Sequence, residues 1–594
     1  MKIDFILINA IALPLFLGSL FLETTTGVSI PKSIIGSLVF FIITPTTLLQ
    51  IFPQQLKKFD SIEKYFLVLT TFFFVLTPAV FLFNLLGIKI SSLSILTIST
   101  FIFFIALIAK MLQRKQTTEL PLHYSFFKKE HFPLFVAIAS FIALHGINYF
   151  FYRFMPEMDG YSDLERIEDI IKSGYVQETY RGFFTTAVSI ISIISGIDPY
   201  HVFVTILIGL QSSLLLVLNR ILRLLKNTSR SVEYLVYALA LSVPVLNMEI
   251  DTLRPQSIVI IFFPILFYFV CRFFLSRDIA YLIPAAAIGV LGFNYHELFI
   301  FPLAIYGTWI FYGFLHTSLK YTKDRRDWII ASLLAIIIFL GVYIIEQRLD
   351  IFQFFFSVIK SIFSSISDFS IWRIWFLDSY SDAAGSELGW PGISGAVKYY
   401  AYYFSPALVF VTAIGIFSLK KKDYLANTEK ILILTAAPII TAFFLFAEIF
   451  PRMGYFLFPE RSWILIDIFI ILAAFPIIKY LSNQHFARVF FVILTFACFS
   501  GIAGSFYIAA SKKSFISENE YAAALWIKDN TAKESTIIVQ LSSKPFINFF
   551  AKRNSAVVDP KYFLSEKIEE LIPEKEIDIL KEKQEKRLKK TYSY

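Results

Sequence analysis

What constrains this chain most is the recurrence of apolar runs about as long as a bilayer is thick. A helix needs about 20 mainly apolar residues to cross roughly 30 Å of hydrocarbon. Such runs return at 3–22, 33–52, 65–87, 92–109, 132–152, 201–222, 232–249, 255–275, 280–294, 297–316, 329–346, 399–419, 431–450, 463–479 and 489–510, about 15 candidate spans in 594 residues. Charge is scarce and uneven: 17% of residues are charged, and 16 of 54 Lys/Arg and 13 of 45 Asp/Glu fall in residues 511–594. A soluble surface needs roughly 25–35% charge, so the first 510 residues cannot cover themselves for water. The implied fold class is an all-α polytopic membrane protein with a small soluble tail. A cytosolic enzyme, a secreted disulfide scaffold and a disordered chain are excluded. The net charge of +9 does not point to nucleic acid, because membrane proteins carry excess Lys/Arg in cytoplasmic loops. Cys271 and Cys498 both lie in apolar runs and indicate no disulfide framework. The N-terminal MKIDFILINAIALPLFLGSLF lacks a clear cleavage site and reads as a first span.

Basic residues set the orientation. Lys57, Lys58 and Lys64 mark one loop. Lys110, Arg114, Lys115, Lys128 and Lys129 mark the next on that side, followed by Arg223, Lys226 and Arg230, then Lys320, Lys323, Arg325 and Arg326, then Lys420, Lys421 and Lys422. These share one face only if the apolar run 183–196 does not cross. As a helix it would rise roughly 21 Å, too little for the hydrocarbon, so it is expected to lie at the outer surface. The N-terminus is then cytoplasmic and the tail extracytoplasmic, in a multi-pass protein of the plasma membrane.

The first outer loop, 153–200, is acidic, with Glu157, Asp159, Asp163, Glu165, Glu168, Asp169 and Glu178. In MPEMDGYSDLERIEDIIKSGY, Ser162 and Glu165 form a capping box, so a helix is expected to begin there. Leu164, Ile167, Ile170 and Ile171 share one face, which can lie on the membrane, and Gly174 ends the helix. Asp159 would then sit in the loop just before the helix. There it can meet both a lipid-anchored and a water-soluble substrate. Asp159 and Asp163 can equally serve only to support a helix N-terminus.

After this loop come Tyr180, Arg181 and Gly182, the run 183–196, Gly196-Ile197-Asp198-Pro199 and a span. This order resembles the GT-C superfamily of integral-membrane glycosyltransferases, which includes protein mannosyltransferases, aminoarabinose transferases and oligosaccharyltransferases. Their first outer loop carries an Asp, an amphipathic helix ending in Gly about 15 residues later, a second surface helix and a span. The resemblance covers a core at 132–510 with outer loops 153–200 and 347–398, and also the tail. Four extra spans, in 1–112, precede that core. The family often has paired acids where this chain has Asp159-Gly160, and an aromatic residue where it has Asp163, so either Asp can be the key one. Spacing favours Asp159.

Other ionisable residues collect near the outer ends of spans, where they are functional candidates by default. Asn294, Tyr295, His296 and Glu297 break an apolar hairpin at its tip. Glu249, Asp251 and Arg254 sit in a turn. Glu448 and Arg452 flank Pro451, and Glu460, Arg461 and Asp467 open a span. His145 and Asn148 face the outer half of theirs. Some of these charges can simply snorkel to the interface. Arg suits phosphate recognition through its planar fork, so Arg461, then Arg254, are the first choices for a lipid-phosphate contact. His296, Glu297 and Arg181 complete the candidate binding set. Trp372, Trp375 and Trp390 in loop 347–398 can stack on a sugar or belong to an interfacial belt.

In the tail, residues 517–529 read SENEYAAALWIKD, with Ser517 and Glu520 as a second capping box. The strand-like STIIVQL, the helical PFINFFAKR and the strand-like AVV follow, so 511–560 reads as a small α/β extracytoplasmic unit. Its Ala524, Trp526, Ile527, Asn530 and Thr531 resemble the family's outer domain. Residues 561–594 form a charged tail. No Walker loop, CxxC or HExxH is present, and no divalent metal or other cofactor is expected. The resemblance implies an inverting membrane glycosyltransferase taking a sugar from a polyprenyl-phosphate donor to an unidentified glycan, lipid or protein acceptor, with Asp159 or Asp163 as base. The alternative is a transporter or flippase of a lipid-linked or anionic solute.

Overall fold

A computed structural model describes residues 2–3, 5–26, 30–50, 56–112, 120–121, 132–151, 158–177, 182–225, 229–252, 254–299, 302–303, 305–307, 400, 403–419, 427–449, 459–482, 487–511, 516–539 and 543–557. Among these, eight helices are long and apolar enough to cross a membrane: Lys32–Leu49, Ser61–Leu85, Ser92–Ala109, Pro199–Leu224, Gln256–Ser276, Thr428–Glu448, Ser462–Ser482 and Ala487–Tyr507. The bent pair Arg230–Leu241 and Pro244–Asp251, meeting at 63°, makes nine if it counts as one span. Helices Phe5–Thr26 and Phe132–Phe151 also match expected spans. Leu282–Gly292 has 11 residues, a rise of about 16 Å, so the expected span 280–294 is too short to cross by itself. The run 329–346 lies outside the described residues, and 297–316 and 399–419 lie partly outside.

Helices 256–276 and 459–482 form the centre of the bundle. Every residue from Gln256 to Cys271 is buried, and the second packs on helices 230–241, 406–419, 427–444 and 256–276. The periphery is different. Phe101, Phe104, Phe496 and Phe499 stand exposed. Each large apolar side chain left in water forfeits about 1.5–3 kcal/mol, so these stripes fit hydrocarbon and not solvent.

Prolines shape several spans. The turn Phe72–Leu76 widens to π geometry just before Pro78. The Phe72 carbonyl accepts from both the Thr77 backbone N–H and, at 3.1 Å, the Thr77 hydroxyl, which itself needs an acceptor in lipid. At the 63° bend, Pro244 cannot continue helix 230–241. Asn247 Nδ2 donates to the Leu241 carbonyl at 2.8 Å, and the Ser242 hydroxyl to that of Leu239. Helix 487–511 crosses this bend at Gly501, where a Cβ would meet the Ser242 carbonyl oxygen.

One end of the bundle is held by ion pairs. Lys58 meets Asp278 at 2.6 Å, Arg220 meets Asp60, Arg272 meets Glu63 at 3.0 Å and Lys479 meets Glu429 at 3.0 Å. Lys58 lies in one basic loop and Arg220 borders another, so those two loops meet at one end.

In the tail, the Ser517–Glu520 capping box opens helix Glu518–Asn530. Strands Thr536–Val539 and Asn554–Val557 pair in parallel, from Thr536 opposite Asn554 to Val539 opposite Val557. A short helix at 544–551 connects them. Buried Arg553 ties the two halves, donating from Nη2 to the Lys528 and Thr531 carbonyls at 2.6 Å each. The tail 561–594 and loop 347–398, with Trp372, Trp375 and Trp390, lie outside the described residues.

Candidate functional site

The acidic loop helix spans Met158–Ser173 and begins a turn earlier than the Ser162 capping box implies. Tyr161 explains the difference. It is fully buried and extends the stripe of Leu164, Ile167 and Ile170 toward the N-terminus. Burying such a side chain contributes about 1.5–3 kcal/mol, against about 1 kcal/mol for a cap. Ser162 and Asp163 are therefore helical. Asp163 is buried and accepts from Arg166 Nη1 at 3.2 Å. Asp159 stands in the first turn of the helix, not in a preceding loop; its side chain lies outside the described residues. The helix ends at Gly174, whose φ of +78° suits glycine. Asn84 clamps this turn, donating to the Gly174 carbonyl at 2.8 Å and accepting from Val176 N at 2.9 Å.

The apolar face of this helix does not lie open to the membrane. It packs on helix Gly182–Ser195 and on the tail helix at 544–551. The rings of Tyr161 and Phe550 are 5.7 Å apart. Helix 182–195 is not a free surface helix either. All its residues from Gly182 to Ser192 are buried. It is wedged against helix 158–173 and against helices 30–38 and 77–85 of the N-terminal region. Its polar stripe of Thr185, Ser189, Ser192 and Ser195 is buried with the rest because the hydroxyls are satisfied locally, Ser189 donating to the Thr185 carbonyl at 2.8 Å and Ser195 to that of Ile191 at 2.6 Å. Gly36 permits the approach, since a Cβ there would sit 2.8 Å from the Ile194 side chain and 2.6 Å from Phe16. Helices 30–38 and 77–85 thus seat helix 182–195, on which the helix carrying Asp159 packs.

Burial raises the Glu165 carboxyl above its usual range, opposed by a hydrogen bond from Asn548 and the charge of Lys544. Burial also raises Asp169, opposed by Lys172. Both acids therefore hold protons more readily than in water.

Away from the ion-paired end, several polar groups are buried in the bundle. His145 Nδ1 lies 2.8 Å from Asp251 Oδ1, joining helix 132–151 to helix 244–252. Arg254 Nη2 is 3.9 Å from Glu249 Oε2, and Gln211 donates to the Ile250 carbonyl. The Tyr400 hydroxyl donates to Glu448 Oε2 at 3.3 Å. Trp463 stacks on Tyr403, with centroids 6.3 Å apart. Asp467, one helical turn further on, is fully buried, and neither carboxylate oxygen has a hydrogen-bond partner among the described residues. His296 is buried at the hairpin tip, and its Nδ1 accepts from Leu298 N at 3.2 Å. The neighbouring Tyr295 ring lies 5.6 Å from Phe183 of helix 182–195, so the tip touches the loop helices.

Of the sequence candidates, Asp163, Arg254 and His296 have described side chains. The side chains of Asp159, Glu297 and Arg461 and all of Arg181 lie outside the described residues. The structure adds the His145–Asp251 and Tyr400–Glu448 pairs, which join residues 106 and 48 positions apart. Nothing in local sequence signals either pairing. Among the described residues, no three His, Cys, Asp or Glu lie together as a metal ion would require.

The helices and their lipid-facing stripes define an all-α, multi-pass membrane protein. No protein-family model matches the chain, and no curated protein matches it. Solved structures similar to it include the archaeal oligosaccharyltransferase AglB from Archaeoglobus fulgidus, in complex with an inhibitory peptide and a dolichol-phosphate. The match covers 76% of this chain and 55% of that one, with 11% identity and a TM-score of 0.27. The chain thus spans little more than half the length of that protein, and its fold class rests on its own helices.

Proposed function

We propose that the protein is a GT-C-type membrane glycosyltransferase that moves a sugar from a polyprenyl-phosphate donor to an acceptor at the outer face. In this reading the N-terminus is cytoplasmic and the tail extracytoplasmic. The observation that carries it is the position of Asp159. It opens helix 158–173, directly after helix 132–151 and before the buried helix 182–195. That order of span, acidic helix and second helix is what the sequence shares with the superfamily.

The chemistry needs few groups. Asp159 takes the proton of the acceptor hydroxyl as its oxygen bonds to the sugar's anomeric carbon. The bond from that carbon to phosphate breaks, and the lipid phosphate leaves. Attack opposite the leaving group inverts the centre. A positioned base contributes typically 10²–10⁴-fold. Arg461 and Arg254 would stabilise the leaving phosphate as preorganised positive charge, with His296, Glu297 and Arg181 as further substrate contacts. Asp163, buried against Arg166, suits support of the helix better than proton transfer.

The test uses membranes containing the wild type, Asp159→Asn or Asp163→Asn, incubated with labelled polyprenyl-phosphate sugars. Loss of transfer in Asp159→Asn alone supports the assignment, and full transfer in that variant removes Asp159 as the base. One observation favours the transporter reading: the span broken by 63° beside helix 459–482, since broken helices and midplane polar groups line transport sites. Solute counterflow in vesicles, without transfer, would favour it.

A further inference from the structure

A cavity of about 1160 Å3 lies between helices 132–151, 230–241 and 487–511, which pack against one another pairwise. It is larger than the roughly 300–1,000 Å3 of most small-molecule sites. Along its length it is walled by apolar side chains such as Val136, Leu144, Leu235, Leu241, Phe491 and Phe506. Ser229, Ser231, Ser482, Lys479 and Arg488 gather at one end, and no Asp or Glu lines it among the described residues. That end is the ion-paired one, where Lys479 meets Glu429. Arg488 is exposed and makes no ion pair among the described residues. From Ser231 to Leu241 the helix rises about 15 Å, half of a hydrocarbon layer of roughly 30 Å. Phe135 and Phe499, beside the cavity, are 63% and 66% exposed, so it borders hydrocarbon and not water.

We propose that this cavity binds an anionic diacyl phospholipid from the leaflet at the basic end, its phosphate against Arg488, Lys479 and Ser231 and its acyl chains along helix 230–241. The apolar walls and lateral exposure select a lipid. The one-sided positive charge selects an anionic headgroup, as basic pockets between spans do; Arg488 carries it, because Lys479 is already paired with Glu429. The headgroup end is the start of helix 230–241, whereas the His145–Asp251 pair joins the far ends of its neighbours. The site is therefore separate from the proposed chemistry and stands whether or not that reading holds.

The full-length protein in nanodiscs would be probed with photoactivatable phosphatidylglycerol and, separately, photoactivatable phosphatidylcholine, with label mapped by mass spectrometry. Phosphatidylglycerol is expected to label segments 230–241 and 487–511. Labelling should fall about fivefold in Arg488→Gln, the equivalent of roughly 1 kcal/mol for one basic residue beside an anionic lipid, and return in Arg488→Lys. Arg488 is exposed, so the variant should elute as a folded monodisperse species, which gel filtration checks. Equal labelling by phosphatidylcholine would overturn the proposal in favour of ordinary bilayer lipid. Unchanged labelling in Arg488→Gln would also overturn it, as would labelling only by a photoactivatable polyprenyl phosphate.

Discussion

Asn548, in the C-terminal tail, donates a 2.6 Å hydrogen bond to Glu165 on the loop helix 383 residues earlier. Lys552 reaches Glu168 one turn along, and Phe549 and Phe550 close on Tyr161. The tail is therefore the outer wall of the helix that opens with Asp159. At about 50 residues such a unit is marginal alone, and this contact gives it a surface to rest on.

Replacing Asn548 with Asp should undock the tail. The substitution sets a second carboxylate against Glu165 where an amide now donates, and leaving a partly buried acceptor without its donor costs about 1–3 kcal/mol. Limited proteolysis between the two tail strands, at 540–553, should become faster in Asn548→Asp than in the wild type. Equal cleavage rates would show that the aromatic contacts alone hold the tail.

Docking should also respond to pH. Glu165 and Asp169 have carboxyls raised by burial, so the docked state binds protons more tightly than the undocked one. Their contribution is full below the ordinary glutamate value of about 4.3 and is lost as pH rises through the raised values. Hydrogen exchange in the 544–551 helix should therefore slow as pH falls from 7 toward 5, after correction for the intrinsic exchange rate. Faster corrected exchange on acidification would overturn this account.

The His145–Asp251 pair offers a separate stability test. Both residues are buried, and removing one partner strands the other's polar group at a cost of about 1–3 kcal/mol. Thermal unfolding in detergent should shift downward in Asp251→Ala, while Asp251→Asn, which retains an oxygen near His145 Nδ1, should recover most of the loss. Equal melting of all three proteins would show that the contact adds nothing.

These residues show what was legible in the sequence and why the rest was not. The spans could be read because apolar length is a local property: 92–109 and 255–275 lie within a few residues of helices Ser92–Leu112 and Gln256–Ser276. The Gly174 stop could be read because its positive φ is set by local sterics. The start of helix 158–173 is not legible from the Ser162 cap, because Tyr161 is buried partly against Phe549 and Phe550 of the distant tail. What covers the amphipathic face is not legible either, since periodicity tells which residues hide but not what hides them. Partners such as Asp251 for His145 depend wholly on the tertiary arrangement.

Asp467 separates stability from function. Its carboxylate is fully buried in a span, with no hydrogen-bond partner among the described residues. A buried polar group without a partner costs several kcal/mol in hydrocarbon-like surroundings, and ionisable residues kept in such places usually mark a site of action. Asp467→Leu should therefore raise the melting temperature or leave it unchanged, because the substitution removes a polar group that nothing among the described residues satisfies. The same variant should lose sugar transfer in the membrane assay, or counterflow if the protein proves to be a transporter. A lower melting temperature in Asp467→Leu would show that the carboxylate is held by partners in the folded state. Unchanged activity in a stabilised variant would remove Asp467 from the functional site.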